Sequence, residues 1–74
     1  MPVVTIQVPA GSLSAQQKSS MISKVTDAVL EAEGYPQLRP ATTVLIQEVV
    51  DGGWGRGGEA KTLAEMKAAI EKAK

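Results

Sequence analysis

The order of patterned segments between residues 3 and 50 most constrains what this chain can fold into. Val3-Val4-Thr5-Ile6-Gln7-Val8 places Val4, Ile6 and Val8 on one face and Val3, Thr5 and Gln7 on the other, the period of a strand. Pro9-Ala10-Gly11 ends it. Ser14-Ala15-Gln16-Gln17 then has the form of a capping box, in which the serine hydroxyl and the glutamine side chain satisfy free backbone N–H groups. Met21, Ile22, Val25, Ala28, Val29 and Ala32 follow at helical spacing as an apolar stripe, with Lys18, Ser20, Lys24, Asp27 and Glu31 mainly opposite. Gly34 and Pro36 are stop signals for that helix. Tyr35 to Pro40 reads as a turn-rich connection. A second β-branched run spans about Thr42 to Val50. Strand, long helix, strand is a βαβ unit, which predicts two parallel strands joined by a right-handed crossover.

The remainder is short. Asp51 to Gly58, DGGWGRGG, predicts a tight loop or small hairpin with Trp54 at its tip. Thr62-Leu63-Ala64-Glu65 offers another capping box. Leu63, Met66, Ala69, Ile70 and Ala73 then form the narrow apolar stripe of a C-terminal helix. The expected fold class is α/β (α+β), with residues 1–74 as one domain.

One face of such a sheet is left open, whereas both faces of a parallel sheet are normally covered. A lone core is marginal at 74 residues. The chain has no Cys and no His, which excludes disulfides and removes the usual zinc ligands. Association with copies of itself is the remaining remedy. Eight basic residues are balanced by eight acidic ones with no basic patch, which argues against nucleic acid as a partner. No apolar run approaches a membrane span, and the N-terminus lacks a signal peptide's pattern. A cytoplasmic protein without a membrane partner is the expectation.

Few groups can carry chemistry near neutral pH. With Met1 removed, Pro2 becomes an N-terminal secondary amine at the start of a strand. An ordinary α-amino group titrates at roughly 7.7–8.0, and burial of its charged form lowers that. The serines have no His to activate them, so a Ser-His triad is impossible. Trp54, the only Trp, is a candidate pocket wall or interface anchor. Arg56, two residues on, could bind a carboxylate through a forked pair of hydrogen bonds, and Arg39 is a weaker candidate. Gly53, Gly55 and Gly58 match G-x-G-x-x-G, but the following helix starts too late and the chain ends without a further strand. These glycines therefore read as hairpin geometry. Glu48 is the strand carboxylate nearest to any such site and reads as structural.

Pro2 opening a strand, Gly11 before a capped helix, a second strand, and Gly53-Trp54-Gly55-Arg56-Gly57-Gly58-Glu59 together form a distinctive order. Over about residues 2 to 60 the chain resembles the tautomerase superfamily, specifically small 4-oxalocrotonate tautomerase-like subunits. The resemblance implies a βαβ tautomerase fold with Pro2 as general acid/base and Trp54 at the aromatic position of an apolar pocket between subunits. It also implies a homohexamer built as a trimer of dimers, and no cofactor or metal. The implied substrate is a small keto or enol carboxylic acid. Ser12 and Thr43 stand where the type enzyme has its two arginines, which leaves substrate binding to some combination of Ser12, Thr43, Arg39 and Arg56. The competing expectations are a hydratase, dehalogenase or decarboxylase on the same scaffold, with Glu48 activating water, or an inactive structural subunit.

Overall fold

A computed structural model describes residues 2–73. The expectation that Met1 is removed concerns a residue outside that range. The elements in chain order are β1 (Val3–Pro9), α1 (Ala15–Glu33), a 3₁₀ turn (Pro36–Ala41), β2 (Thr43–Val49), β3 (Gly55–Arg56), β4 (Glu59–Ala60) and α2 (Leu63–Ala73). The fold is mixed α/β, with β1 and β2 paired in one sheet and β3 and β4 in another. Two backbone bonds give the sense of the first pair. The Thr43 N–H donates to the Pro2 carbonyl at 3.1 Å, and the Ala10 N–H to the Val49 carbonyl at 2.8 Å. Both strands therefore advance in the same direction, as the crossover rule predicts.

The chain forms two compact units. One holds the residues up to Ile6 together with Leu13–Gln47, and the other holds Gln7–Ser12 and the residues from Glu48 onward.

In the first unit, α1 begins where its local sequence dictates. Ser14 Oγ accepts the Gln17 N–H at 3.1 Å, and the Gln17 side-chain oxygen accepts the Ser14 N–H at 2.8 Å. The helix closes at Gly34 (φ 77°), whose N–H donates to the Leu30 carbonyl at 2.9 Å. Replacing Ser14 by Ala is expected to cost about 1 kcal/mol of stability, the usual worth of such a cap. An unchanged urea-unfolding midpoint would contradict it.

The apolar stripe differs from expectation. The buried residues of α1 are Thr26 and Leu30, each 7% exposed, whereas Ile22, Ala28 and Ala32 are exposed. Neither Thr26 nor Leu30 belongs to the stripe expected from sequence. The Thr26 hydroxyl donates to the Ile22 carbonyl at 2.7 Å, which satisfies the polar group and lets the methyl be buried. On the strands, Val4, Ile6, Val44 and Ile46 are half-buried, while Val3, Thr5, Thr43 and Leu45 are exposed. Val3 at 64% and Leu45 at 44% make the exposed face partly apolar, as the open-face argument anticipates.

In the second unit, β3 and β4 form a two-residue hairpin with Gly55 opposite Ala60 and Arg56 opposite Glu59. The turn is Gly57-Gly58, with φ of 62° and 84°, the positive pair that a tight hairpin matching strand twist requires. The tip is thus Gly57-Gly58 and not Trp54. Trp54 lies at the base, where its carbonyl accepts the Lys61 N–H at 2.9 Å. The expected capping box of α2 is altered too. Thr62 Oγ1 accepts the Glu65 N–H at 3.2 Å, but the Glu65 carboxylate bonds the Thr62 hydroxyl at 3.3 Å rather than its backbone. The Leu63 N–H is instead capped by Asp51 Oδ1 at 2.8 Å.

Candidate functional site

The second unit carries a half-open cavity of about 650 Å³, within the range of small-molecule sites. Its apolar walls are Val8, Pro9, Val49, Trp54, Met66 and Ala69. Each arrives by a local cause. Val8 and Pro9 end β1, Val49 ends β2, Trp54 is pinned at the hairpin base, and Met66 and Ala69 face the cavity one turn apart on α2. Gln7, Arg56, Lys61 and Glu65 supply the polar lining.

The hairpin is built for this placement. A Cβ on Gly55 would fall 2.3 Å from the Glu59 carbonyl oxygen, so the close approach of β4 admits only glycine there. Lys61, directly after β4, donates its N–H to the Trp54 carbonyl and lines the cavity. Its ammonium lies 3.7 Å from Glu65 Oε2, one helical turn on. The Arg56 guanidinium makes no hydrogen bond or ion pair among the described residues.

Of the residues expected from sequence, the cavity brings together Trp54 and Arg56. Ser12 belongs to the same unit but does not line it. Its N–H donates to the Pro9 carbonyl at 3.1 Å, and its hydroxyl is shielded from solvent without a hydrogen-bond partner. The Trp54 indole N–H is likewise shielded and unpartnered. Pro2 and Thr43 meet in the other unit through the Thr43 N–H to Pro2 carbonyl bond, which ties down the residue carrying the candidate base. Pro2 itself is half-buried. Arg39 sits on the 3₁₀ turn and pairs with Asp27, so its charge is already engaged. Glu48 Oε1 accepts the Gly11 N–H at 3.2 Å and holds the loop after β1, a structural use of that carboxylate.

Lys61, Glu65 and Met66 are lining residues that the sequence reading did not place in a site. Met66 was read as part of an apolar stripe and Glu65 as a cap, and Lys61 carried no signal. Among the described residues, no group of three or more Asp or Glu is placed to hold a metal ion, and no helix is long and apolar enough to cross a membrane.

Comparison with known proteins follows this geometry. The model of the tautomerase enzyme family matches residues 2–64. A protein of Dickeya dadantii (strain 3937) described as probable tautomerase K2 is 38% identical over 69 residues, covering 92% of this chain and 98% of its own. The crystal structure of a 4-oxalocrotonate tautomerase homologue aligns with a TM-score of 0.69 at 22% identity, covering 80% of this chain and 89% of that one. At that identity the likeness is one of fold.

Proposed function

We propose a particular chemistry for this chain, which belongs to the tautomerase enzyme family. A tautomerase is an isomerase that moves a proton within one molecule. In our reading this one is a cofactor-independent keto–enol tautomerase of small α-keto acids and their enols, with Pro2 as general acid and base. The observation that carries it is the cavity in which Trp54 and Arg56 stand together: an aromatic wall for an unsaturated body beside an unengaged guanidinium for a carboxylate.

The free Pro2 amine takes the proton of the enol hydroxyl, electron density moves through the enolate, and the resulting ammonium returns a proton to carbon. A positioned base of this kind contributes about 10²–10⁴-fold. The enolate oxygen needs hydrogen-bond donors, and the candidates are Arg56, Ser12 and Thr43. Arg39 is held by Asp27 and ranks below them.

The lining residues do not include Pro2. In this reading the base of one copy serves the cavity of another, within a homo-oligomer that covers the exposed face bearing Val3 and Leu45. The 64% exposure of Val3 and 44% exposure of Leu45 support such burial.

The test is ketonisation of phenylenolpyruvate, followed by loss of the enol absorbance. The protein is expected to accelerate it well above the buffer-catalysed rate, and no acceleration would overturn the reading.

A further inference from the structure

The charges lining the cavity are two cations and one anion, Arg56, Lys61 and Glu65. They leave one net positive charge within walls of Val8, Val49, Trp54 and Met66. We propose that this arrangement selects monocarboxylates with a flat apolar body: Arg56 and Lys61 hold one carboxylate, and Glu65 rejects a second. The proposal rests on the cavity being the substrate site of the tautomerase reading and assigns that site's substrate class.

Glu65 is exposed, and two contacts tether its carboxylate at the cavity edge. Its Oε1 accepts from the Thr62 hydroxyl at 3.3 Å, its Oε2 faces the Lys61 ammonium at 3.7 Å, and its backbone N–H is held by Thr62 Oγ1. At 3.7 Å the Lys61 contact is an ion pair longer than a hydrogen bond, so the ammonium keeps donors for a ligand. Arg56 adds a planar fork without a competing partner among the described residues. One carboxylate neutralises the lining. A second one would enter as an uncompensated anion against apolar walls and beside a carboxylate already there, and both effects disfavour it. The face of Trp54 suits a conjugated or aromatic body.

Trp54 is the only Trp, so its fluorescence reports occupancy without any turnover. The probes are phenylacetate and 1,4-phenylenediacetate, which share a ring and differ by one carboxylate. Wild type is expected to bind the monoacid about ten-fold more tightly than the diacid, the size of one unfavourable charge contact. Glu65→Gln keeps an oxygen for the Thr62 hydroxyl and is expected to shrink that ratio to about three-fold or less. Lys61→Met is expected to weaken the monoacid about ten-fold. Equal affinity of the two acids in wild type, no quenching by either, or an unchanged ratio in Glu65→Gln would each overturn the proposal. Selectivity intact in a protein that does not ketonise enols would refute the tautomerase chemistry alone. Ketonisation without selectivity would overturn this proposal and leave the tautomerase chemistry standing.

Discussion

Replacing Pro2 by Ala is expected to lower kcat/KM for enol ketonisation by about 10²-fold or more, the low end of what a positioned general base supplies. The substitution leaves a primary amine in place, so the base is degraded and not deleted. What is lost is the ring. Proline's fixed φ aims the nitrogen lone pair, and the Thr43 N–H bonded to the Pro2 carbonyl anchors the same residue from the other side. Alanine keeps that anchor but rotates freely about φ. These results are expected of the chain from which Met1 has been removed; a chain extended by keeping Met1 ahead of Pro2 goes further. Its Pro2 nitrogen is an amide with no basic lone pair, and the expected loss is the full contribution of about 10²–10⁴-fold. The wild-type kcat/KM should also fall as pH drops below the α-amino range of roughly 7.7–8.0, or a lower value if the amine is desolvated, because protonation removes the base. The extended chain should show no such limb. Equal rates for wild type, Pro2→Ala and the extended chain would sink the Pro2 mechanism.

The parts of this molecule that were legible in its sequence are those whose causes are local. The cap of α1 needs only Ser14 and Gln17, the two ends of a four-residue segment that contains its own hydrogen bonds. The alternation of Val4 and Ile6 with Val3 and Thr5 is a two-residue period, and β1 follows it. Thr26 lies outside the apolar stripe read from sequence, yet it is buried, with its hydroxyl donating to the Ile22 carbonyl. Reach is the second limit. The cap on Leu63 comes from Asp51, twelve positions earlier, and no short pattern encodes it. In the candidate site, Trp54 and Arg56 stood out as a lone aromatic and a lone cation in a glycine loop. Lys61 and Glu65 did not: Glu65 reads as the end of a capping box, and Lys61 carries no signal. The hairpin register sets Lys61 opposite Trp54, through the Lys61 N–H to Trp54 carbonyl bond, while Glu65 is carried by α2.

That register makes Gly55 the most consequential residue away from the chemistry. DGGWGRGG contains five glycines, and any adjacent pair tolerates a turn. The choice of Gly57-Gly58 places Gly55 against β4, where its missing Cβ would lie 2.3 Å from the Glu59 oxygen and 2.9 Å from the Glu59 carbonyl carbon. Both are backbone atoms, so no rotamer relieves the clash. Gly55→Ala is therefore expected to open the hairpin and cost about 2–3 kcal/mol, at the upper end of ordinary point substitutions. For a domain of this size that lowers Tm by roughly 4–8 °C per kcal/mol. Gly58→Ala is the control. Its φ is 84°, but nothing lies within 4 Å of the added methyl, so only left-handed strain of about 1–2 kcal/mol is expected. The two variants also separate in the tryptophan signal. Opening β3 from β4 releases the Trp54 carbonyl from Lys61, so Gly55→Ala should shift the emission of Trp54 toward that of solvated indole and abolish phenylacetate quenching, while Gly58→Ala preserves both. If Gly55→Ala proves no more destabilising than Gly58→Ala and leaves the emission in place, then close approach of the strands is not what positions Trp54.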